Sequence, residues 1–213
     1  MAYGTLESGR VPNSALDSGH WRIGEIVPDF TLEDVWALPV EGGPDDFPAL
    51  LETMASIDPA KSESRPARAL WQLRDRLGAW FGLGRTAVDE SEPPVGELPI
   101  PGARETSLAA RLPQDLRGSA AVAGFDPPLF SPLYLTEVEA AAEISNQTVH
   151  GVMHLAWVDR GSGRYQGQMA VYVKPRGRFG RAYMELIKPF RYWIVYPALM
   201  RQLERTWQRR ERR

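Results

Sequence analysis

The chain has 213 residues, of which 43% are hydrophobic and 24% charged. That composition excludes collagen-like, wholly disordered and coiled-coil architectures, and the length suffices to bury a sizeable core. The net charge of -2 does not suggest a nucleic-acid binder, but it hides a split: residues 174–213 hold 12 bases and 3 acids, residues 1–173 hold 13 bases and 24 acids.

In chain order, residues 1–19 read as a loose polar tail, residues 20–208 as one domain and residues 209–213 as a basic tail. The segment His20–Val27 has strand-like alternation. Thr31 sits at a helix N-cap position with Asp34 three residues on, so residues 31–38 read as a short helix ended by Pro39. Asp45–Ser56 repeats Phe47, Leu50, Leu51 and Met54 at helical spacing. Pro66–Leu83 reads as a stronger amphipathic helix, and the acidic, proline-rich stretch 86–105 as a long loop. A helix turn interrupted by Pro113 is expected over Ser107–Leu116.

The strand-rich half follows. Leu133–Ile144, Thr148–Val158 and Tyr165–Lys174 read as a three-stranded antiparallel meander. The last element, Arg178 to about Arg210, is helical in period, with an apolar stripe of Phe179, Tyr183, Leu186, Ile187, Phe190, Ile194, Ala198 and Leu203. Pro189 and Pro197 should each kink or restart it. Helices, then a meander, then one long helix is an α+β order, and that last helix is the natural cover for the sheet's apolar face.

No cysteine is present, so disulfides, thiolate metal sites and a cysteine nucleophile are excluded. The first twenty residues lack a signal-peptide pattern. The most apolar window, Pro189–Met200, is shorter than the roughly 20 residues a bilayer span requires. A cytoplasmic location is the expectation. Phosphate-binding loops, zinc-protease motifs and nucleophile elbows are absent from the sequence.

Strand parity separates two faces. Val138, Ala140, Ala142, Ile144, Gly151, Met153, Leu155, Trp157, Gly167 and Met169 share the apolar face. Glu139, Glu143, His150 and His154 share the other. A two-residue turn at Asn146-Gln147 sets Glu143 opposite His150 and Glu139 opposite His154, about 5 Å apart at Cβ, close enough to form acid–base couples. The alternative reading is a solvated outer surface. On a strand His150 and His154 lie about 13 Å apart, too far to share one metal ion, so no metal and no cofactor is expected. Ala140, Ala142, Gly151 and Gly167 leave room beneath a helix, either for close packing or for a cavity. Tyr134, Met153, Trp157, Met169 and Tyr183 are the candidate ligand-lining residues.

The run Tyr172–Leu203, with its basic turn, IKPF break and apolar helix, resembles the end of a bacterial family, domain of unknown function 2867. Glu143–Val158 and Ala69–Gly84 resemble two further motifs of that family. The resemblance implies a helix-grip fold of the START and Bet v 1 type, in which a curved antiparallel sheet wraps around a long kinked C-terminal helix. It carries no catalytic residue onto this chain.

Three functions follow as expectations. The first is binding of a small hydrophobic or lipid-like ligand between sheet and C-terminal helix. The second is a cyclase, dehydratase or isomerase using Glu143–His150. The third is docking on an anionic membrane surface or a partner through the basic aromatic helix, where Tyr192, Trp193 and Tyr196 neighbour Arg191 and Arg201. Nucleic-acid binding is not expected, and the sequence leaves the oligomeric state open.

Overall fold

The computed structural model describes residues 8–17, 20–57, 106–119, 130–145 and 148–211. The expected helix at 66–83 and the loop at 86–105 lie outside the described residues.

Six antiparallel strands form one sheet in the order β1-β2-β6-β5-β4-β3. They are β1 (Gly9–Val11), β2 (Thr31–Gly42), β3 (Ser131–Leu135), β4 (Glu139–Ser145), β5 (Val149–Asp159) and β6 (Tyr165–Pro175). Short helices α1 (Ser14–Asp17) and α2 (Ile23–Ile26) precede β2, and α3 (Phe47–Ser56) follows it. The C-terminal element runs as α4 (Gly177–Phe190), a π-helical segment (Arg191–Val195) and α5 (Tyr196–Glu211). This is an α+β architecture consistent with a helix-grip fold.

The meander appears as expected, with one more strand. Thr136 splits the segment read as a single strand. Its hydroxyl accepts the Val138 and Glu139 N–H groups at 3.3 and 3.1 Å, a local turn that competes with the ladder and separates β3 from β4. The expected helix over Asp45–Ser56 is present as α3, preceded by a 3-10 turn at Pro44–Asp46. The turn near Ser107 is a 3-10 helix, Leu108–Arg111.

Two local readings are corrected. Residues 31–38 are not a helix but most of β2, which pairs with β1 on one edge and β6 on the other. Long-range pairing overrides the capping pattern, and Val35, Trp36, Leu38 and Val40 enter the core. Pro39, which cannot donate to a ladder, falls where the β2–β6 register shifts between Ala37 and Glu41. The buried Gln166 side chain donates to the Leu38 carbonyl there at 3.1 Å. The expected strand at His20–Val27 contains helix α2 instead, which buries Ile23 and Ile26. Within the stretch read as a tail, β1 pairs with β2 and Leu16 is buried.

The sheet is buried on both faces. On one, Trp36, Leu38, Val40, Ala140, Ala142, Met153, Leu155, Trp157 and Met169 pack against α3 and against Tyr196, Leu203 and Trp207 of the C-terminal element. On the other, Tyr134, Ala141 and Val152 pack beneath Ile23, Ile26, Val27, Leu108, Leu112 and Leu116. Covering both faces removes most apolar strand surface from water, and each buried aliphatic or aromatic side chain contributes about 1.5–3 kcal/mol.

The prolines act as anticipated, through a π segment. Pro189 lies in the last turn of α4, and Pro197 is the second residue of α5. Between them the Tyr196 N–H bonds to the Arg191 carbonyl, five residues back. The wider turn brings Arg191 and Tyr196 onto one face, where both meet Asp34 of β2. Arg191 is thereby turned inward, toward the sheet. Asp34 is fully buried, the Arg191 side chain is 13% exposed, and they form an ion pair at 2.9 Å. Trp36 Nε1 donates to the other Asp34 oxygen at 3.0 Å, and Arg191 also hydrogen-bonds the Tyr196 hydroxyl.

Candidate functional site

The strand β5 register places His150 opposite Ser145 and His154 opposite Ala141, while Glu143 faces Val152 and Glu139 faces Ala156. The expected two-residue turn is thus wrong by two positions of pairing. A shift of two keeps every side chain on its own face, so each glutamate is a diagonal neighbour of its histidine. Both predicted couples form: Glu143 Oε2 to His150 Nε2 at 2.9 Å, and Glu139 Oε2 to His154 Nε2 at 2.8 Å.

The solvated-surface reading of this face is overturned. Glu139, Glu143, His150 and His154 are all buried, because α2 and the 107–116 segment cover them. Each couple sits in its own polar network. Glu143 accepts the Ser107 hydroxyl and, at 3.1 Å, the Leu108 N–H at the start of the 3-10 helix. His150 packs edge-on against Phe30, ring centroids 5.0 Å apart.

Glu139 accepts three hydrogen bonds: from His154, from the Tyr134 hydroxyl at 2.9 Å and from the Arg22 backbone N–H at 3.0 Å. Burial pushes its carboxyl up. The hydrogen bonds from His154, from the Arg22 N–H and from the Tyr134 hydroxyl outweigh this and hold it below the ordinary 4.5. Burial, and then the Glu139 carboxylate, push the Tyr134 hydroxyl far above its usual value, so Tyr134 stays protonated as a donor.

Three residues on this face carry buried polar atoms without hydrogen-bond partners: Nδ1 of His154, Nε1 of Trp21 and both amide atoms of Gln168. The Trp21 and His154 rings meet edge to face at 5.8 Å. Gln168 of β6 lies opposite Ala156, and His154 opposite Ala170, so Gln168 and His154 are diagonal neighbours, about 7 Å apart. The surrounding positions are small: Ala37, Ala156 and Ala170. Buried polar groups are normally satisfied, so four unpaired atoms on three adjoining residues make this the candidate site.

The chemistry there follows from Glu139. As an ionised acceptor it selects, for the neutral imidazole, the tautomer with the proton on Nε2, which leaves the Nδ1 lone pair as the free acceptor. Trp21 Nε1 is a donor only, and the Gln168 amide offers both. The trio presents one basic nitrogen and two donors. Gln168 and Trp21 escaped the sequence reading; the parity of Gln168 puts it on the His154 face, and that signal was available.

Of the candidate lining residues, Met153, Trp157 and Met169 lie together in the core on the α5 side of the sheet. Tyr134 is on the opposite face with Glu139, and Tyr183 is half-buried on α4. The small residues serve close packing at Gly167, where a Cβ would come 3.1 Å from Leu50 and 3.2 Å from Leu38. Among the described residues no group of three acidic or histidine side chains is placed to hold a metal. No described helix is long and apolar enough to cross a membrane.

A family model described as a protein of unknown function, DUF2867, matches residues 26–198. No curated protein and no solved structure gives a match.

Proposed function

The chain belongs to the DUF2867 family, whose description assigns no activity, and from its own residues we propose that it binds a small hydrogen-bonding molecule at Trp21, His154 and Gln168, with Glu139–His154 as the acid–base couple. The ligand class presents a hydroxyl or other acidic X–H to Nδ1 of His154 and an acceptor to Trp21 and Gln168. The unpartnered, buried Nδ1 of His154 carries this reading. A carboxylate behind an imidazole fixes its tautomer and stabilises the imidazolium formed on proton uptake, the division of labour seen in hydrolase triads.

This moves the acid–base reading from Glu143–His150 to Glu139–His154. Glu143 is enclosed by Ser107, Leu108 and His150, which suits a structural role. A hydrophobic ligand between sheet and C-terminal helix has less support, since Trp36, Met153, Trp157, Tyr196 and Trp207 occupy that layer.

Gln168→Leu tests the proposal. Its amide makes no hydrogen bond, so the substitution should not destabilise the free protein. Wild type should be stabilised in thermal-shift assays by members of a panel of small hydroxy acids, phenols and amides, and the variant should lose that response. Imidazole nitrogen NMR should show neutral His154 protonated on Nε2 and its Nδ1 signal moving on binding. Ordered water alone between the three side chains in a high-resolution structure, with no panel compound stabilising wild type, would refute it.

A further inference from the structure

The C-terminal stripe does not all reach the sheet. Phe179, Leu186 and Phe190 of α4 are 63%, 69% and 43% exposed, and Trp193 in the π segment is 80% exposed. At 3.6 residues per turn, Phe179, Leu186 and Phe190 fall within about 40° of one another on the helix. With Trp193 they make a line about 21 Å long at 1.5 Å per residue. Large apolar side chains aligned in this way on a surface mark an interaction site.

The helix is held to the body by a different side. Gly180 and Met184 are buried, and a Cβ on Gly180 would lie 2.2 Å from the Thr148 carbonyl oxygen. Lys188 reaches Glu33 of β2 at 3.5 Å. The stripe therefore faces away from the core. The remaining side is basic: Arg178 and Arg181 are exposed, and neither has an ion-pair partner among the described residues. Glu185 is occupied by Lys188.

We propose that α4 and the π segment lie on an anionic bilayer surface, with Phe179, Leu186, Phe190 and Trp193 among the acyl chains near the headgroups, Arg178 on a lipid phosphate and Arg181 adding positive charge from the far side of the helix. Three features select this occupant. A single convex helix offers a line rather than a concave patch, and a flat, deformable interface accommodates a line. The stripe itself holds no acid, Arg178 flanks it about 100° round the helix, and the exposed Arg181 keeps the element's field positive, which matches anionic lipid. Aromatic residues end it on both sides, as at membrane interfaces. Tyr196 and Arg191, expected to share in such docking, are instead committed to Asp34.

The chain has no cysteine, so Leu186→Cys supplies one labelling position for a polarity-sensitive fluorophore. Three results are expected: rapid labelling in the free protein, a blue shift with vesicles of phosphatidylcholine mixed with phosphatidylglycerol, and flotation with those vesicles at low salt. Binding should fall about tenfold or more in Leu186→Gln/Trp193→Gln, and in Arg178→Gln/Arg181→Gln it should lose its salt dependence. Neutral vesicles should bind far less. Slow labelling in a monomer would mean that another segment of this chain covers the stripe. A concentration-dependent dimer that slows labelling would mean a second copy does. Either result, or no vesicle binding at low salt, overturns the proposal.

Discussion

Arg191→Met isolates the buried ion pair that anchors the π segment. Methionine keeps much of the arginine stem's volume and removes the cation. Asp34 would then remain fully buried, retaining among the described residues only Trp36 Nε1 at 3.0 Å and the Tyr196 hydroxyl at 3.5 Å as donors. Breaking a buried pair from one side costs about 3–5 kcal/mol. The Trp36 bond persists, so the loss should lie near the lower end, about 3 kcal/mol. For a chain of this length that is a fall of roughly 10 °C in Tm. Replacing both partners by apolar groups removes the stranded charge, so Arg191→Met/Asp34→Leu should recover most of the loss. Urea unfolding of wild type, both single variants and the double variant closes the cycle, and the coupling should be about 2–3 kcal/mol. A single variant costing less than about 1 kcal/mol, or a double variant no more stable than Arg191→Met, would refute the view that charge pairing holds this segment in place.

Gly180→Ala should loosen α4, because its Cβ would meet the Thr148 carbonyl, which also accepts the Arg176 N–H at 2.7 Å. A cost of about 1–3 kcal/mol and faster hydrogen exchange over residues 177–190 are expected; unchanged exchange there would count against the docking geometry. Gly167→Ala should cost about 1–2 kcal/mol in urea unfolding by crowding Leu38 and Leu50. A neutral result would reveal spare volume on that face and revive the apolar-cavity reading. Glu139 has a folded-state pKa below its ordinary 4.5, so its contribution to stability is present above that value and lost as pH falls through the folded pKa. Between pH 5 and pH 3 wild type should therefore lose more stability than Glu139→Gln. Parallel unfolding midpoints for the two proteins across that range would show that the Glu139 carboxylate is not held as described.

The parts of the fold legible in the sequence were those decided by neighbours along the chain. β5 and β6 alternate cleanly, and the shared face of Glu139, Glu143, His150 and His154 followed from parity alone. Their register was misjudged by two residues, because turn length is a weak signal while face is a strong one. β2 was illegible for a related reason. Thr31 and Asp34 imitate a helix start, and what overrode them, pairing with β6 more than 120 residues later, leaves no local trace. The burial of Glu139 and His154 was equally hidden, since their cover comes from Trp21–Val27 and Ser107–Leu116. Asp34 looked like a capping residue; its true partner, Arg191, lies in the distant C-terminal element.

The charge split also acquires a structural meaning. Four bases of the C-terminal stretch reach acids of the front half: Lys174 to Asp29 at 3.0 Å, Lys188 to Glu33, Arg191 to Asp34, and Arg210 to Asp46 at 3.6 Å. The asymmetry is therefore partly internal, with the last strand and its helix carrying bases that meet acids around β2 and α3. Most of these contacts are partly exposed, where an ion pair is worth about 0–1 kcal/mol. Only Arg191–Asp34 is buried enough to enforce position. Through that pair the π segment is fixed to β2. The Phe179–Trp193 stripe and the neighbouring Arg178 and Arg181 then face outward, while the same sheet's opposite face keeps His154 and Gln168 enclosed. The two proposed sites lie on different elements and share no residue, so a variant that disables one should leave the other intact.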